Sequence, residues 1–216
     1  MSDFPPNLSI RPLTIEDLDQ CVQLEEKGFP EEERCSESKL QYRLTVAPEL
    51  CSGLFIRDFD YKYNFINLPE VAEELSKQHN NVEYDDDEFE DDYPAKSSVT
   101  KETLIGQIIA TKIPGDKITE ESMEIGNHKE SSRHIGIHSV VIDPTWRGKN
   151  LGPLLLHDYI QKLSNQDLGD QVVIISHKDL VPFYEKIGFN DIGESDCKFA
   201  NSTWHDLSID LIAKDE

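Results

Sequence analysis

Basic residues are scarce in this chain of 216 residues. Twenty-one Lys and Arg stand against 43 Asp and Glu, which gives a formal net charge of −22 at pH 7. Nucleic acids and anionic membranes are bound by basic surfaces, so this imbalance argues against both as partners and favours cationic substrates. No apolar run reaches the length that spans a bilayer, and the N-terminus lacks the basic and apolar segments of a secretory signal.

Cysteine is also sparse, and its spacing indicates no paired site. Cys21, Cys35, Cys51 and Cys197 form no C-x-x-C pair, so we expect reduced thiols and no metal site. Together with the missing signal segment, this predicts a cytoplasmic protein. The sequence leaves the oligomeric state open, and a monomer is the expectation.

The segment HIGIHSVVIDPTWRGKNLG, from His134 to Gly152, organises the rest of the chain. A β-branched run turns at Asp143 and Pro144 into a small-residue loop, and an apolar helical pattern follows from Pro153 to Leu163. The start of a helix offers free backbone N–H groups and a partial positive charge, which suit a pyrophosphate. The loop lacks both the nucleotide P-loop pattern and the dinucleotide-binding G-x-G-x-x-G.

The loop residues Arg147, Gly148, Lys149, Asn150, Leu151 and Gly152 resemble the acetyl-CoA pyrophosphate loop of the GNAT acetyltransferases. Asn150 replaces a glycine of that pattern, and Asn tolerates positive φ well. Four segments in order resemble the arylalkylamine (serotonin) N-acetyltransferase branch, above all its fungal polyamine or arylalkylamine members. These are IRPLTIEDLDQCVQLEEKGFPEEER, RLTVAPELCSGLF, IHSVVIDPTWR and LVPFYEKIGF.

The resemblance implies the GNAT fold, a mixed α/β sheet flanked by helices, in which strands 4 and 5 splay apart to admit the cosubstrate. The hydrophobic pattern itself predicts strands at Leu8 to Pro12, Gly53 to Phe59, Leu104 to Ile113, the run before Asp143, Gln171 to Ser176 and Leu207 to Leu211. We expect one domain over residues 8–211. An insertion at about residues 60–100 carries the acidic run Glu83 to Asp92 and is expected to be mobile, because like charges at this density repel.

The resemblance also implies a site for transferring an acetyl group from a thioester to an amine. Such a transfer needs a base for the ammonium and an acid for the departing thiolate. His138 is predicted as the base and Tyr184 as the acid, while Gly136 occupies the position of a first histidine in the vertebrate enzymes. Cosubstrate contacts are predicted at Val140, Val141, Ile142, Arg147, Gly148, Lys149, Asn150, Leu151, Gly152 and Pro153. Substrate contacts are predicted at Phe29, Pro30, Ser176 and His177.

These features predict an acetyl-CoA-dependent N-acetyltransferase of small amines, either arylalkylamines such as serotonin and tryptamine, polyamines, or both. The attack would be direct, within a ternary complex. Two alternatives stay open. One is a histone-tail or protein lysine acetyltransferase of the same fold, and the other is a non-catalytic module that binds acyl-CoA, which Asn150 and Gly136 keep open. The segment from Phe29 to Ala47 resembles the small-amine branch and favours the first reading.

Overall fold

The computed structural model describes residues 4–59 and 99–211. Contacts divide the chain into two units, residues 1–56 with 103–216, and residues 57–102. In the described part of the second unit, Arg57 Nε lies 2.8 Å from Glu102 Oε1. The predicted acidic insertion, including Glu83 to Asp92, lies outside the described residues. The assignment of residues 8–211 to one domain stays a prediction.

Helices are interspersed among the strands of a mixed sheet along the described chain, which confirms the predicted α/β class. The strands are β1 (Leu8–Pro12), β2 (Ser52–Phe59), β3 (Val99–Lys112), β4 (His134–Ile142), β5 (Gln171–Ser176), β6 (Asn190–Glu194) and β7 (His205–Asp210). The α-helices are α1 (Leu18–Gly28), α2 (Glu37–Val46), α3 (Leu151–Asn165) and α4 (Val181–Glu185). Strand β6 has no counterpart among the predicted strands.

Local sequence signals set the helix ends. Ser36 caps α2, where its Oγ accepts a hydrogen bond from the Lys39 N–H at 3.4 Å. Pro182 occupies the first turn of α4, and Gly188, with φ of 116°, follows its end. Within the described ranges, none of the helices is both long enough and apolar enough to cross a membrane.

The strands form one sheet in the order β1-β2-β3-β4-β5-β7-β6. β4 and β5 are parallel, whereas β3 pairs antiparallel with β4 and β7 pairs antiparallel with both β5 and β6. The parallel pairing runs from His134 opposite Gln171 to Ile137 opposite Ile174. Beyond that point β4 continues to Ile142 and β5 to Ser176 without pairing with each other, so the two strands separate as predicted.

Helices cover both faces of the sheet. The face packed against α3 and α4, called the α3 face, buries Ile108, Ile137, Ile174, Leu155 and Tyr159 in one cluster. The opposite face, called the α1 face, packs against α1 and α2 and buries Leu24, Leu40, Phe55, Ile109 and Val141. Burying a side chain of this size contributes about 1.5–3 kcal/mol to stability. Both faces of the sheet therefore carry a buried core beneath their helices.

A β-bulge interrupts β4 at His138. Ile109 and Ala110 are consecutive in β3, yet they face Ser139 and Ile137, so His138 is the extra residue of β4. A bulge of this kind bends the strand and redirects the side chains near it.

The bulge shifts the alternation of side chains along β4. Before it, Ile135 and Ile137 pack on the α3 face, and after it Val140 and Ile142 do so. His138 lies on the α1 face, because its hydrogen-bond partner in β3 is there. The bulge therefore places an imidazole on the α1 face at the level where β4 and β5 separate.

Candidate functional site

A cavity of about 680 Å³ lies where β4 and β5 separate. Its size falls within the range typical of small-molecule sites. On the α3 face it is lined by the loop before α3 and by α4. On the α1 face it is lined by the loop between α1 and α2 and by the segment that leads from β6 to β7. The cavity therefore connects the two faces of the sheet.

All but one of the predicted site residues line this cavity. They are Phe29, Pro30, His138, Val140, Val141, Ile142, Arg147, Gly148, Asn150, Leu151, Gly152, Pro153, Ser176, His177 and Tyr184. The exception is Lys149, whose Nζ lies 4.7 Å from the centroid of the Trp146 ring, at the edge of the loop. The structure brings these residues together, while their individual roles stay predictions.

The loop from β4 to α3 has the backbone of an anion-binding nest. Gly148 has a φ of 77° and Asn150 a φ of 57°, so Asn150 adopts the left-handed conformation in place of the glycine. Left-handed residues in such a loop direct successive N–H groups to one side, and the start of α3 adds its own free N–H groups. A Cβ on Gly152 would lie 3.3 Å from Phe183 Cζ, which leaves little room for a side chain. The loop, with Arg147 and Lys149, fits a pyrophosphate.

Tyr184 offers a protonated hydroxyl to the cavity. The residue is 6% exposed, and its ring packs edge-on against Phe183 and Phe189, with centroids 5.0 and 5.6 Å away. Burial raises the pKa of the phenol, so it keeps its proton at neutral pH. Among the residues that the structure describes, none forms a hydrogen bond with this hydroxyl. It is therefore available to a ligand.

His138 is a neutral imidazole in the bulge. Its Nε2 lies 2.7 Å from Thr111 Oγ1, and its Nδ1 is buried without a hydrogen-bond partner in the described part of the chain. Burial, with the nearby charges of Arg43 and Lys39, holds the pKa of His138 well below its ordinary value of 6.5. A neutral imidazole keeps one nitrogen that accepts a proton or a hydrogen bond.

Gly136, which the family resemblance aligns with a first histidine, faces the core and is not among the residues that line the cavity. A Cβ at Gly136 would lie 2.7 Å from Ile118 Cδ1 and 2.8 Å from Ile113 Cγ2. Those two isoleucines occupy the space that a larger side chain would need. The site is therefore built without a histidine at this position.

Polar contacts fix α1 against β4. The Glu25 carboxylate accepts hydrogen bonds from Ser139 Oγ and, at 2.9 Å, from Gln107 Nε2. Burial raises the pKa of Glu25, and these hydrogen bonds partly oppose that rise. Near the end of α1, Lys27 Nζ lies 2.9 Å from Asp143 Oδ2, at the start of the anion-binding loop. These contacts position the α1–α2 loop over one end of the cavity.

Glu33 is a lining residue that sequence reasoning missed. It belongs to the acidic run EEER, which the pattern places in an exposed loop, but its side chain is only 10% exposed. Its Oε1 and Oε2 lie 3.0 and 3.1 Å from His177 Nε2, and Oε1 lies 3.4 Å from Ser202 Oγ. The His177 ring in turn lies 4.1 Å from the Trp204 ring. Glu33 therefore differs from the exposed Glu31 and Glu32, because its side chain turns inward to His177.

Aromatic and sulfur-containing side chains complete the end of the cavity near Glu33. Beyond the predicted Phe29, the lining includes Phe199, Trp204 and Met123. This end of the cavity therefore combines an apolar wall with one carboxylate, that of Glu33. Within residues 4–59 and 99–211, no group of three or more His, Cys, Asp or Glu could hold a metal ion.

Comparison with known proteins points to one family. Residues 95–211 match the acetyltransferase (GNAT) domain. Over 108 residues the chain is 29% identical to serotonin N-acetyltransferase from Mesocricetus auratus, an alignment that covers 50% of this chain and 51% of that protein. The chain thus spans about half the length of the curated relatives it matches.

Solved structures share the fold at low sequence identity. The loading GNATL domain of CurA from Lyngbya majuscula superposes with a TM-score of 0.65 at 15% identity, covering 94% of this chain and 98% of that one. The GphF GNAT-like decarboxylase, solved in complex with isobutyryl-CoA, gives 0.63 at 16% identity, covering 94% and 100%. These similarities establish the fold.

Proposed function

The chain belongs to the GNAT acetyltransferase family, and from this membership we propose that it transfers the acetyl group of acetyl-CoA to a primary amine of a small molecule. The attack is direct, within a ternary complex, in a catalytic domain that extends over residues 8–211. The cavity between β4 and β5 carries this proposal. It joins an anion-binding loop on the α3 face to an apolar end with one carboxylate on the α1 face.

Each end of the cavity has its own role in the proposal. The loop from Arg147 to Gly152 holds the pyrophosphate of acetyl-CoA, which supplies a thioester to the site. Tyr184, kept protonated by burial, donates its proton to the sulfur that leaves. Beyond the bulge β4 no longer pairs with β5, and the backbone N–H groups on that edge of β4 polarise the thioester carbonyl.

His138 acts on the acceptor amine in this proposal. An alkylammonium has a pKa of about 10 and becomes a nucleophile only after it loses a proton. The neutral imidazole of His138, on the α1 face at the bulge, accepts that proton directly or through water. Substrate contacts at Phe29, Pro30, Ser176 and His177 surround the same end.

Contacts between two loops at the end of the cavity near Glu33 favour small amines over peptides. Glu33, in the α1–α2 loop, contacts His177 at the end of β5 and Ser202 in the segment before β7. These contacts join two loops across the cavity, where a polypeptide acceptor would need an open channel for its backbone. The serotonin N-acetyltransferases among the relatives support the same substrate class.

Steady-state assays of coenzyme A release test the proposal. Tryptamine, phenylethylamine, putrescine, spermine and a histone-tail peptide are compared, with an acceptor-free control and mass detection of the acetylated product. We expect turnover of at least one small amine and little turnover of the peptide. A peptide preference would support the protein acetyltransferase instead. Binding of acetyl-CoA without turnover of any acceptor would support the non-catalytic module.

A further inference from the structure

The carboxylate of Glu33 is the group at the α1-face end of the cavity that remains without a role. We propose that it binds a second positive charge on the acceptor, so that diamines and polyamines are preferred to monoamines of equal length. This inference rests on the proposed function, because it names the substrate class of that same site.

Glu33 is a nearly buried carboxylate that lacks a Lys or Arg partner within the described ranges 4–59 and 99–211. Its contacts there are the Ser202 hydroxyl and the His177 ring, which forms an ion pair with it when protonated. A carboxylate offers about four acceptor positions, so these contacts leave capacity for an ammonium group with its three donors. Removing a carboxylate from water is costly unless a cation pairs with it. A cationic ligand would supply a permanently charged partner, whereas His177 is a cation only when it is protonated.

The position of Glu33 separates it from the group that donates to the thiolate. Tyr184 belongs to the cluster on the α3 face, with Ile174 of β5. His177, which Glu33 contacts, lies two residues after Ile175. The side chain of Ile175 packs in the cluster with Phe199. Glu33 and Tyr184 therefore approach the cavity from opposite faces of the sheet. An acceptor that reaches from one to the other carries its reacting nitrogen at one end and its second charge at the other.

The positively and negatively charged side chains that line the cavity lie at opposite ends of it. Arg147 lies at the end with the anion-binding loop, and Glu33 lies at the acceptor end. Between them the walls are mostly apolar, as a methylene chain requires. His177 holds the carboxylate in place, and its own ring packs at a tilt against Trp204, with the ring centroids 4.1 Å apart. The Glu33 carboxylate is thus preorganised before an acceptor arrives.

The test compares two acceptors that differ only in the second charge. 1,4-Diaminobutane and n-pentylamine have the same length, because a methyl group replaces the distal ammonium. For the wild-type protein we expect a higher kcat/KM with the diamine. Glu33→Gln should lower kcat/KM for the diamine by about 10- to 100-fold, the range expected on losing a hydrogen bond to a charged group. For pentylamine the same variant should lose less than about threefold.

Matched controls separate charge recognition from general damage. Glu32→Gln removes an exposed carboxylate from the same turn and should leave both acceptors unaffected. Glu33→Asp keeps the charge and should retain part of the diamine preference. The melting temperature and acetyl-CoA affinity of Glu33→Gln should match the wild-type values.

Each outcome decides a different question. If no amine is acetylated by the wild-type protein, including tryptamine, the proposed function fails. If tryptamine or pentylamine is acetylated as efficiently as the diamine, the charge-recognition proposal is overturned while the proposed function stands. An equal loss for both acceptors in Glu33→Gln would also overturn it, because it would indicate a role at the reacting nitrogen.

Discussion

Replacing His138 with Gln should remove a pH dependence of stability that one buried imidazole creates. The pKa of His138 in the folded protein lies well below 6.5, chiefly because burial disfavours the charged ring. The unfolded chain exposes the same ring, which then titrates near its ordinary value of 6.5. The unfolded state therefore binds an extra proton below that pH, and acid favours unfolding.

The magnitude follows from this difference. A group whose folded pKa is depressed contributes its stability above the unfolded value, and this stability is lost as the pH falls towards the folded pKa. At pH 8 the unfolded imidazole is almost entirely neutral, so the cost is close to zero. At pH 5.5 the unfolded ring is about ten parts protonated to one neutral, while the folded ring stays neutral. The free energy of unfolding should then fall by about 1.4 kcal/mol on this account alone.

Urea unfolding at pH 8 and pH 5.5 measures this term. The difference in unfolding free energy, wild type minus His138→Gln, should be about 1.4 kcal/mol lower at pH 5.5 than at pH 8. The other histidines are common to both proteins and cancel in the difference. His157→Gln, which removes an exposed imidazole from α3, is the matched control. A difference for His138→Gln that stays constant between the two pH values would refute the reasoning.

Three further predictions concern the proposed site. Tyr184→Phe should lower kcat by about 10²-fold and leave the Kd of acetyl-CoA nearly unchanged in calorimetry, and an unchanged kcat would remove the phenol from the mechanism. Gly152→Val should abolish measurable acetyl-CoA binding, because a side chain at this position has little room beside Phe183 and would block the phosphate. Asn150→Gly should preserve binding, because glycine adopts the positive φ that Asn150 has here. Wild-type affinity in Gly152→Val would contradict the pyrophosphate assignment. Gly136→His should destabilise the fold by about 1–3 kcal/mol in urea, since its Cβ would collide with Ile118, and unchanged stability would show that this part of the core yields easily.

Strong local signals made the end of the cavity with the anion-binding loop predictable from the sequence. The β-branched strand, the turn at Asp143 and the helix after it are each specified by neighbouring residues, although the helix starts at Leu151 and the pattern predicts it from Pro153. Asn150 was expected to tolerate positive φ, and its φ of 57° confirms that expectation. The separation of β4 from β5 followed from the family resemblance and is present in the register.

The acceptor end depended on tertiary contacts that no local pattern encodes. Glu33 follows Glu31 and Glu32 in an acidic run, and only the packing of its turn against the end of β5 distinguishes it from them. The position of Glu33 soon after Phe29 and Pro30, two predicted substrate contacts, was the one feature of the sequence that pointed to a place in the site. A sequence window cannot include His177, which is 144 positions away.

The last strand pair shows a similar limit. β6 is mostly exposed and irregular, with a register shift near Gly193, so it lacks the alternation that identifies a strand. Pairing with β7 alone makes it extended. Likewise, counting by twos along β4 cannot reveal that His138 is an extra residue, because the bulge is visible only against β3.

The bulge divides β4 into two segments in which opposite positions, odd-numbered and then even-numbered, face the α3 core. Odd-numbered positions such as Ile135 and Ile137 need apolar side chains for the α3 core before His138, and even-numbered positions such as Val140 and Ile142 need them afterwards. A map of tolerated substitutions along this strand would therefore alternate, slip by one position at the histidine and alternate again. An insertion or deletion of one residue on either side would put the two halves out of phase with their cores. The length of β4 is thus as constrained as its composition, and the position of the histidine is fixed by counting from both ends.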